Sequence, residues 1–437
     1  MIGTLKRKAE IPMTEALCQA YTYILKRELV PAMGCTEPIA VAYCAAKARE
    51  LLGCMPRQVE IFASGNIIKI VKSVIVPHTG GARGLSAAAA VGVFYGDPTR
   101  QLEVLSAVTA EQEARLASRM DELTITVAAA DTPHPLDLCV TVSADGHTAS
   151  VHIRDAHTRI VEMHRDGERV FRADDTPDKP ENDDTDLRLL NVTDIKIYAD
   201  TVPLEYIAPV LERQIACNTA IAEEGLKNPY GARIGQVLLR QDDGVRTRAK
   251  AMAAAGSDAR MGGCDMPVVI NSGSGNQGMT ASLPVIAYAE HHGKTHEELL
   301  RALALSNLIT LHLKSGIGCL SAYCGAVSAG VGAGAGIAYL LTGDLTVINH
   351  TIVNAIAIAS GIVCDGAKAS CAAKIAMAVE AGLMGFEMYR EGCEFYGGDG
   401  LVSKGVEATI RNIAVLGNEG MRETDRKIIE LMTAPGC

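Results

Sequence analysis

Residues 313–341, LKSGIGCLSAYCGAVSAGVGAGAGIAYLL, and 360–374, SGIVCDGAKASCAAK, are the stretch around which the chain is organised. Cys319, Cys324, Cys364 and Cys371 lie in it, and from Gly316 through Cys364 the only formally charged residue is Asp344. So much Gly and Ala lets backbone pack against backbone, and thiols placed inside such packing would line a dry pocket with sulfur ligands. Gly316–Thr342 is also long enough to cross a membrane. It carries seven glycines, however, and Asp344, Asn349 and His350 follow at once. No aromatic belt or Lys/Arg cluster brackets it. The segment therefore reads as a buried helix of a soluble helical domain, with no membrane partner.

Working outward, 437 residues suffice for two or three domains with a sizeable core. Aromatic residues are only 4% and Trp is absent, so that core must be aliphatic and small. A net charge of −10 disfavours nucleic acid, which requires a basic footprint. The 13 cysteines are odd in number and scattered, which is no disulfide framework. The N-terminal residues show no signal-peptide pattern, so reduced thiols in a cytoplasmic protein are expected.

Residues 14–54 read as two helices broken by Pro31, the second starting after GCTEP with Thr36 as N-cap, Glu37 and Pro38 in its first turn. The loop 33–38 aims Cys35 at a helix N-terminus, where a thiol pKa falls. QVEIFASGNIIKIVKSVIV (58–76) is β-branched and alternating, and reads as strands. PHTGGARG is a turn, with His78 a structural turn residue, and LSAAAAVGVFYG a helix. LEVLSAV, the helix TAEQEARLASRM and the strands LTITVAAA, LCVTVSA, HTASVHI and RIVEMHRDG complete a small mixed domain. DDTPDKPENDDTD (174–186) holds seven acidic residues and marks the clearest boundary. Beyond it the pattern is helical. The expected fold class is α/β in the α+β sense: a small mixed α/β domain plus a larger, predominantly helical domain. The divisions are 1–57, N-terminal helices packing on the helical domain; 58–186, the small domain ending in the acidic loop; and 187–437, the helical domain with the cysteines.

Cys324 and Cys364 lie forty residues apart, Cys364 and Cys371 seven. No CxxC pair occurs among them, which disfavours zinc ribbons and bacterial ferredoxins. Seven residues of straight helix span about 10.5 Å, so CDGAKASC must turn for both thiols to meet one centre. Spacing alone leaves open that these are buried cysteines acting as small hydrophobes. NSGSGNQG (271–278) spells GxGxxG after the strand-like MPVVI. The helical KTHEELLRALALSNLITLHL follows instead of a second parallel strand, so a dinucleotide fold is disfavoured. The loop reads better as backbone N–H groups for a carboxylate, with Ser274 and Asn276 assisting. Lys314, beside an apolar pocket, is a candidate base and Lys368 a carboxylate partner.

SAYCG followed by GIVCDGAKASC resembles the cluster region of the iron–sulfur L-serine dehydratase alpha family. With MGCTEP and NSGSGNQG, the pattern is still more similar to the related cluster-dependent L-cysteine desulfidases. The likeness runs from about residue 14 to 430. It implies a 4Fe–4S cluster held by three cysteines, by position Cys324, Cys364 and Cys371, with one iron open for a small amino-acid substrate. The seven-residue gap before Cys371 is shorter than in the dehydratases, and Cys35 is the rival third ligand. The implied reaction is β-elimination from L-cysteine to sulfide, ammonia and pyruvate. L-serine deamination is the alternative, and a non-catalytic iron–sulfur sensor or structural protein the second alternative. Cys35 and Lys314 are then catalytic candidates, and Thr36, Glu37, Ser274, Asn276 and Lys368 substrate-binding ones. Cys437 could cap the open iron, though a frayed terminus is the simpler reading. A homodimer stays open.

Overall fold

The computed structural model describes residues 13–173, 187–318 and 320–434. The acidic segment 174–186, Cys319 and Cys437 fall outside the described residues. The chain begins with helix α1 (Glu15–Glu28), strand β1 (Pro31–Met33) and helix α2 (Thr36–Leu52). A six-stranded sheet follows: β2 (Gln58–Ala63), then β3 (Thr124–Ala129), β4 (Asp137–Ala144), β5 (His147–Arg154), β6 (Ile160–Arg165) and β7 (Glu168–Arg172), in spatial order β3-β2-β4-β5-β6-β7. Only β2 and β3 are parallel. Their crossover carries α3 (Gly65–Val71), α4 (Gly84–Tyr95) and α5 (Ala110–Met120), as a parallel pair requires. The β4–β5 and β6–β7 hairpins turn on Asp145-Gly146 and Asp166-Gly167, all four at positive φ, the two-residue turn that matches strand twist.

The second half is helical: α6 (Val192–Thr201), α7 (Leu204–Lys227), α8 (Ile234–Leu239), α9 (Val245–Met261), the short strand β8 (Pro267–Val269), α10 (Gly275–His291), α11 (His296–Ile317), α12 (Gly325–Thr342), α13 (Leu345–Ala359), α14 (Ser370–Arg390), α15 (Val406–Val415) and α16 (Arg422–Thr433). α12 lies at the centre, packed on α10, α11, α13 and α14. It is long and apolar enough to cross a membrane, yet 78% of it is covered by the rest of the chain. Its glycines explain the fit: a Cβ on Gly330 would meet the Ala378 carbonyl oxygen at 2.3 Å, so α12 and α14 touch backbone to backbone. The observed architecture is the mixed one expected, a small sheet domain and a larger helical one.

Three local expectations are corrected. Residues 58–76 are not strand throughout. Ser64 accepts a hydrogen bond from the Ile67 N–H and caps α3, so the β-branched run after it winds into a helix that buries Ile67, Ile70 and Val71. The cap of α2 is Cys35 rather than Thr36; the Thr36 hydroxyl donates instead to the Gly273 carbonyl at 2.8 Å. The two N-terminal helices also divide between the layers. α1 packs on α7 and α11, whereas α2 lies on α4 and the sheet strands β4 and β5. Residues Ile39 to Ala46 are all buried, and a helix apolar all round needs partners on every side. Antiparallel pairing of β1 with β8 then ties the start of α2 to the start of α10.

Candidate active site

The two cysteine segments meet through backbone. Tyr323 and Val363 form an antiparallel bridge. The Cys324 N–H donates to Ile362 O at 3.1 Å and the Cys364 N–H to Ala322 O at 2.6 Å, which makes neighbours of residues forty apart in the chain. Beyond Cys364 the chain turns, as expected for Asp365-Gly366, and enters α14 at Ser370. Cys371 sits in the first turn of that helix. Asp365 pairs with both Lys368 and Lys374, and Lys374 also donates to Val363 O at 2.8 Å.

On the facing wall, the loop before α10 is held by a buried amide network. Asn218 Oδ1 accepts from the Val269 N–H at 2.9 Å, and Asn271 Nδ2 donates to Asn307 Oδ1 at 2.9 Å. Gln214 and Asn307 exchange bonds at 3.0 and 2.8 Å. These bonds order the loop, with Asn271 Oδ1 the one amide oxygen of the network left without a protein partner. Among the described residues β8 pairs only with β1, antiparallel, so the glycine motif does not serve a dinucleotide fold.

The segments enclose a cavity of about 110 Å³. Cys324, Cys364 and Cys371 line it, together with Cys35, Glu37, Ser274, Asn276 and Lys314. These eight sequence-selected residues thus share one space. Thr36 and Lys368 do not line it: Thr36 braces the Gly273 carbonyl, and Lys368 folds back onto Asp365 and the Gly366 carbonyl. Lys374, one helical turn beyond Cys371, takes the place expected for Lys368. Arg260, Gln277, Lys69 and Tyr323 also line the space and were not singled out in the sequence. Arg260 had a signal, since Asp258 and Arg260 are the only charges in the otherwise uncharged run 251–264, AMAAAGSDARMGGC. Both are buried, at 0% and 2% exposure.

Electrostatics favour negative charge in this space. α2, α10, α12 and α14 all begin at it, with Cys35, Ser274 and Cys324 as N-caps of the first three and Cys371 in the first turn of the fourth. None of the four carries a side-chain cap, and their positive dipole ends border the cavity. Lys69, Arg260, Lys314 and Lys374 add cationic side chains. Burial, then the neighbouring Cys364, pushes the Cys324 thiol up to about 12, with Cys371 adding to it. Burial, then Cys364 among the neighbouring charges, likewise raises Cys371. Cys364 thus bears on both Cys324 and Cys371.

Cys35 stands apart. Its pKa is raised well above the ordinary value by burial and by Glu37, against the expectation of a helix-start thiolate; desolvation outweighs the dipole here. Its thiol donates to Glu37 Oε2 at 3.1 Å. Burial opposes the charge on Glu37, but His157, with Nε2 3.4 Å from Oε1, and the Cys35 thiol hold its pKa down at about 2. His78 lies outside the cavity, its Nδ1 3.5 Å from Glu113.

Among the described residues, no three His, Cys, Asp or Glu side chains are grouped closely enough for a single metal ion. A four-iron cluster places its thiolates on separate irons and asks for wider spacing. Three thiols on one apolar cavity, ringed by helix starts and cations, suit such a centre, because thiolates and sulfide bring negative charge.

The serine dehydratase alpha chain family model matches residues 99–430. The chain belongs to that family. Among its relatives are UPF0597 proteins of Desulfitobacterium hafniense, 54% identical over 95% of this chain and 96% of the relative, and of Lachnoclostridium phytofermentans, 48% identical over 94% and 98%. A third, from Finegoldia magna, is 46% identical over 94% and 99%.

Proposed function

We propose that the protein is a lyase that eliminates the β-substituent of a small L-amino acid at a 4Fe–4S cluster held by Cys324, Cys364 and Cys371, with L-cysteine as substrate. The observation that carries this reading is the convergence of those three thiols with four uncapped helix starts on one cavity. Family membership supports a dehydratase-like elimination, and the MGCTEP and NSGSGNQG motifs support a sulfur leaving group. When bound, the cluster would supply a Lewis-acidic iron with an open position for the β-thiol or β-hydroxyl.

The chain's own groups do the rest. Lys314 and Lys374 offset the charge of the contents. The Cys35 thiol and the Lys314 ammonium group lie on the cavity as proton-handling groups. Glu37 Oε2, 3.1 Å from the Cys35 sulfur, stays ionised and keeps that thiol protonated, so Cys35 is placed to donate a proton to the departing β-substituent and Lys314, once neutral, to take the α-proton. Loss of the α-proton and the β-substituent from L-cysteine leaves aminoacrylate and sulfide; water converts aminoacrylate to pyruvate and ammonia. No net redox change occurs. The described cysteines are free thiols, which suits a reducing, cytoplasmic setting.

L-serine deamination is the second reading, favoured by the family match itself. The test is anaerobic turnover by reconstituted protein. Sulfide with pyruvate from L-cysteine supports the lead. Pyruvate from L-serine alone selects the second reading, and an intact cluster with neither product overturns both in favour of a non-catalytic iron–sulfur protein.

A further inference from the structure

Two buried polar atoms on the cavity wall have no partner within the protein: Arg260 Nη2 and Gln277 Oε1. Arg260 is 2% exposed and Gln277 5%. An unpartnered buried guanidinium N–H or amide carbonyl is costly, and native folds leave few of them. Arg260 is also held in position. Arg260 Nε donates to Gly34 O at 2.8 Å and Nη1 to Asn276 Oδ1 at 3.2 Å, which leaves Nη2 as the guanidinium nitrogen without a protein partner. The fold makes room for each. A Cβ on Gly275 would lie 2.5 Å from Arg260 Nε, and one on Gly325 2.7 Å from Gln277 Cδ. Gly325 directly follows Cys324, so the Gln277 amide stands beside the cysteine wall.

We infer that Arg260 and Gln277 form an α-amino-acid clamp: Nη2 of Arg260 binds the substrate α-carboxylate, and Oε1 of Gln277 accepts from its α-ammonium group. One atom is a cationic donor and the other a neutral acceptor, the complement of a zwitterion's two ends. The start of α10, where Gln277 sits in the first turn, adds donor N–H groups on the carboxylate side. The role given to Ser274 and the glycine loop in the sequence is thereby shifted to Arg260, with Asn276 as its positioning residue. This inference rests on the reading of the cavity as an amino-acid site, and deepens it.

The test uses the anaerobically purified protein with its cluster and three probes without a leaving group. L-alanine has both charged ends, propionate lacks the ammonium and ethylamine lacks the carboxylate. Calorimetric titration should find L-alanine bound more tightly than either fragment. Arg260→Lys should weaken L-alanine and propionate roughly 10- to 100-fold and leave ethylamine within twofold. Gln277→Leu should weaken L-alanine and ethylamine and spare propionate. In turnover, both variants should raise KM more than they lower kcat. The clamp is overturned if wild type does not bind L-alanine, or if folded variants bind it within twofold of wild type. Circular dichroism checks folding; should Arg260→Lys misfold, the Gln277→Leu pattern alone decides. Arg260-dependent L-alanine binding without turnover of L-cysteine or L-serine sinks the elimination reading and keeps the clamp. Turnover with KM unchanged in both variants does the reverse.

Discussion

Replacing Gly330 by alanine sets two physical effects against each other. Helix propensity favours Gly330→Ala by about 1 kcal/mol in a helix interior. Packing opposes it. The added methyl would lie 2.3 Å from the Ala378 carbonyl oxygen and 2.4 Å from its carbon. Carbon–oxygen contacts settle at about 3.3 Å, so α12 and α14 must part by roughly 1 Å. The obstructing atoms are backbone, and no flexible side chain can give way. Overpacking costs about 1–3 kcal/mol, and a backbone clash belongs at or above the top of that range, for a net loss of about 2 kcal/mol. The shift also reaches the site, because α12 is capped by Cys324 and α14 carries Cys371 in its first turn. Sites of this kind tolerate displacements of about 0.5 Å. Urea denaturation of wild type and variant, with iron and sulfide counted per chain after anaerobic reconstitution, is the assay. A lower midpoint and reduced iron are expected. A variant at least as stable as wild type, with full iron, would refute the reasoning. Gly382→Ala, whose methyl would lie 2.3 Å from Gly330 O, should behave alike.

Cys324→Ser and Cys364→Ser should each abolish the brown chromophore. Cys371→Ser should do the same while Cys35→Ser keeps the iron, since Cys324 and Cys371 both respond to Cys364 whereas Cys35 responds to Glu37 and Arg260; iron retained in Cys371→Ser and lost in Cys35→Ser would reassign the third ligand. Asp425→Ala strands Lys69, which is 1% exposed and paired with it. Removing one partner of a buried pair costs about 3 kcal/mol, and α16 buries no residue of its own, so the amides of 422–433 should exchange on the order of 100-fold faster; unchanged exchange rejects the pair as the latch. Burial opposes the charge on Glu380, but Arg246 and Lys250 outweigh it and lower its pKa. A lowered carboxylate pKa contributes stability above the ordinary value near 4.5, and that contribution is lost as pH falls toward the folded-state value. The stability advantage of wild type over Glu380→Gln should therefore be constant from pH 8 to 6 and shrink in acid, and an advantage that grows in acid would contradict the assignment.

Much of the fold was legible because it is local. Alternation marked β4, β5 and β6, and the uncharged Gly/Ala run marked a buried helix. The failures have physical causes. The run 64–71 is β-branched, but the Ser64 cap and burial of Ile67, Ile70 and Val71 select a helix. Lys368 was the cation expected beside Cys371. The turn at Asp365-Gly366 sends Lys368 back onto its own loop and leaves Lys374 on the cavity.

By itself the sequence determined which groups are available: the thiols, the glycines that let helices touch, and the dry stretch that holds them. Residue type and short-range periodicity carry that information. Tertiary structure decided which groups meet. The Tyr323–Val363 bridge, the β1–β8 pairing and the close contact of α12 with α14 bring four helix starts, three cysteines and the unpartnered edges of Arg260 and Gln277 to one cavity. Such convergence depends on contacts between residues tens to hundreds of positions apart, and spacing along the chain does not encode them.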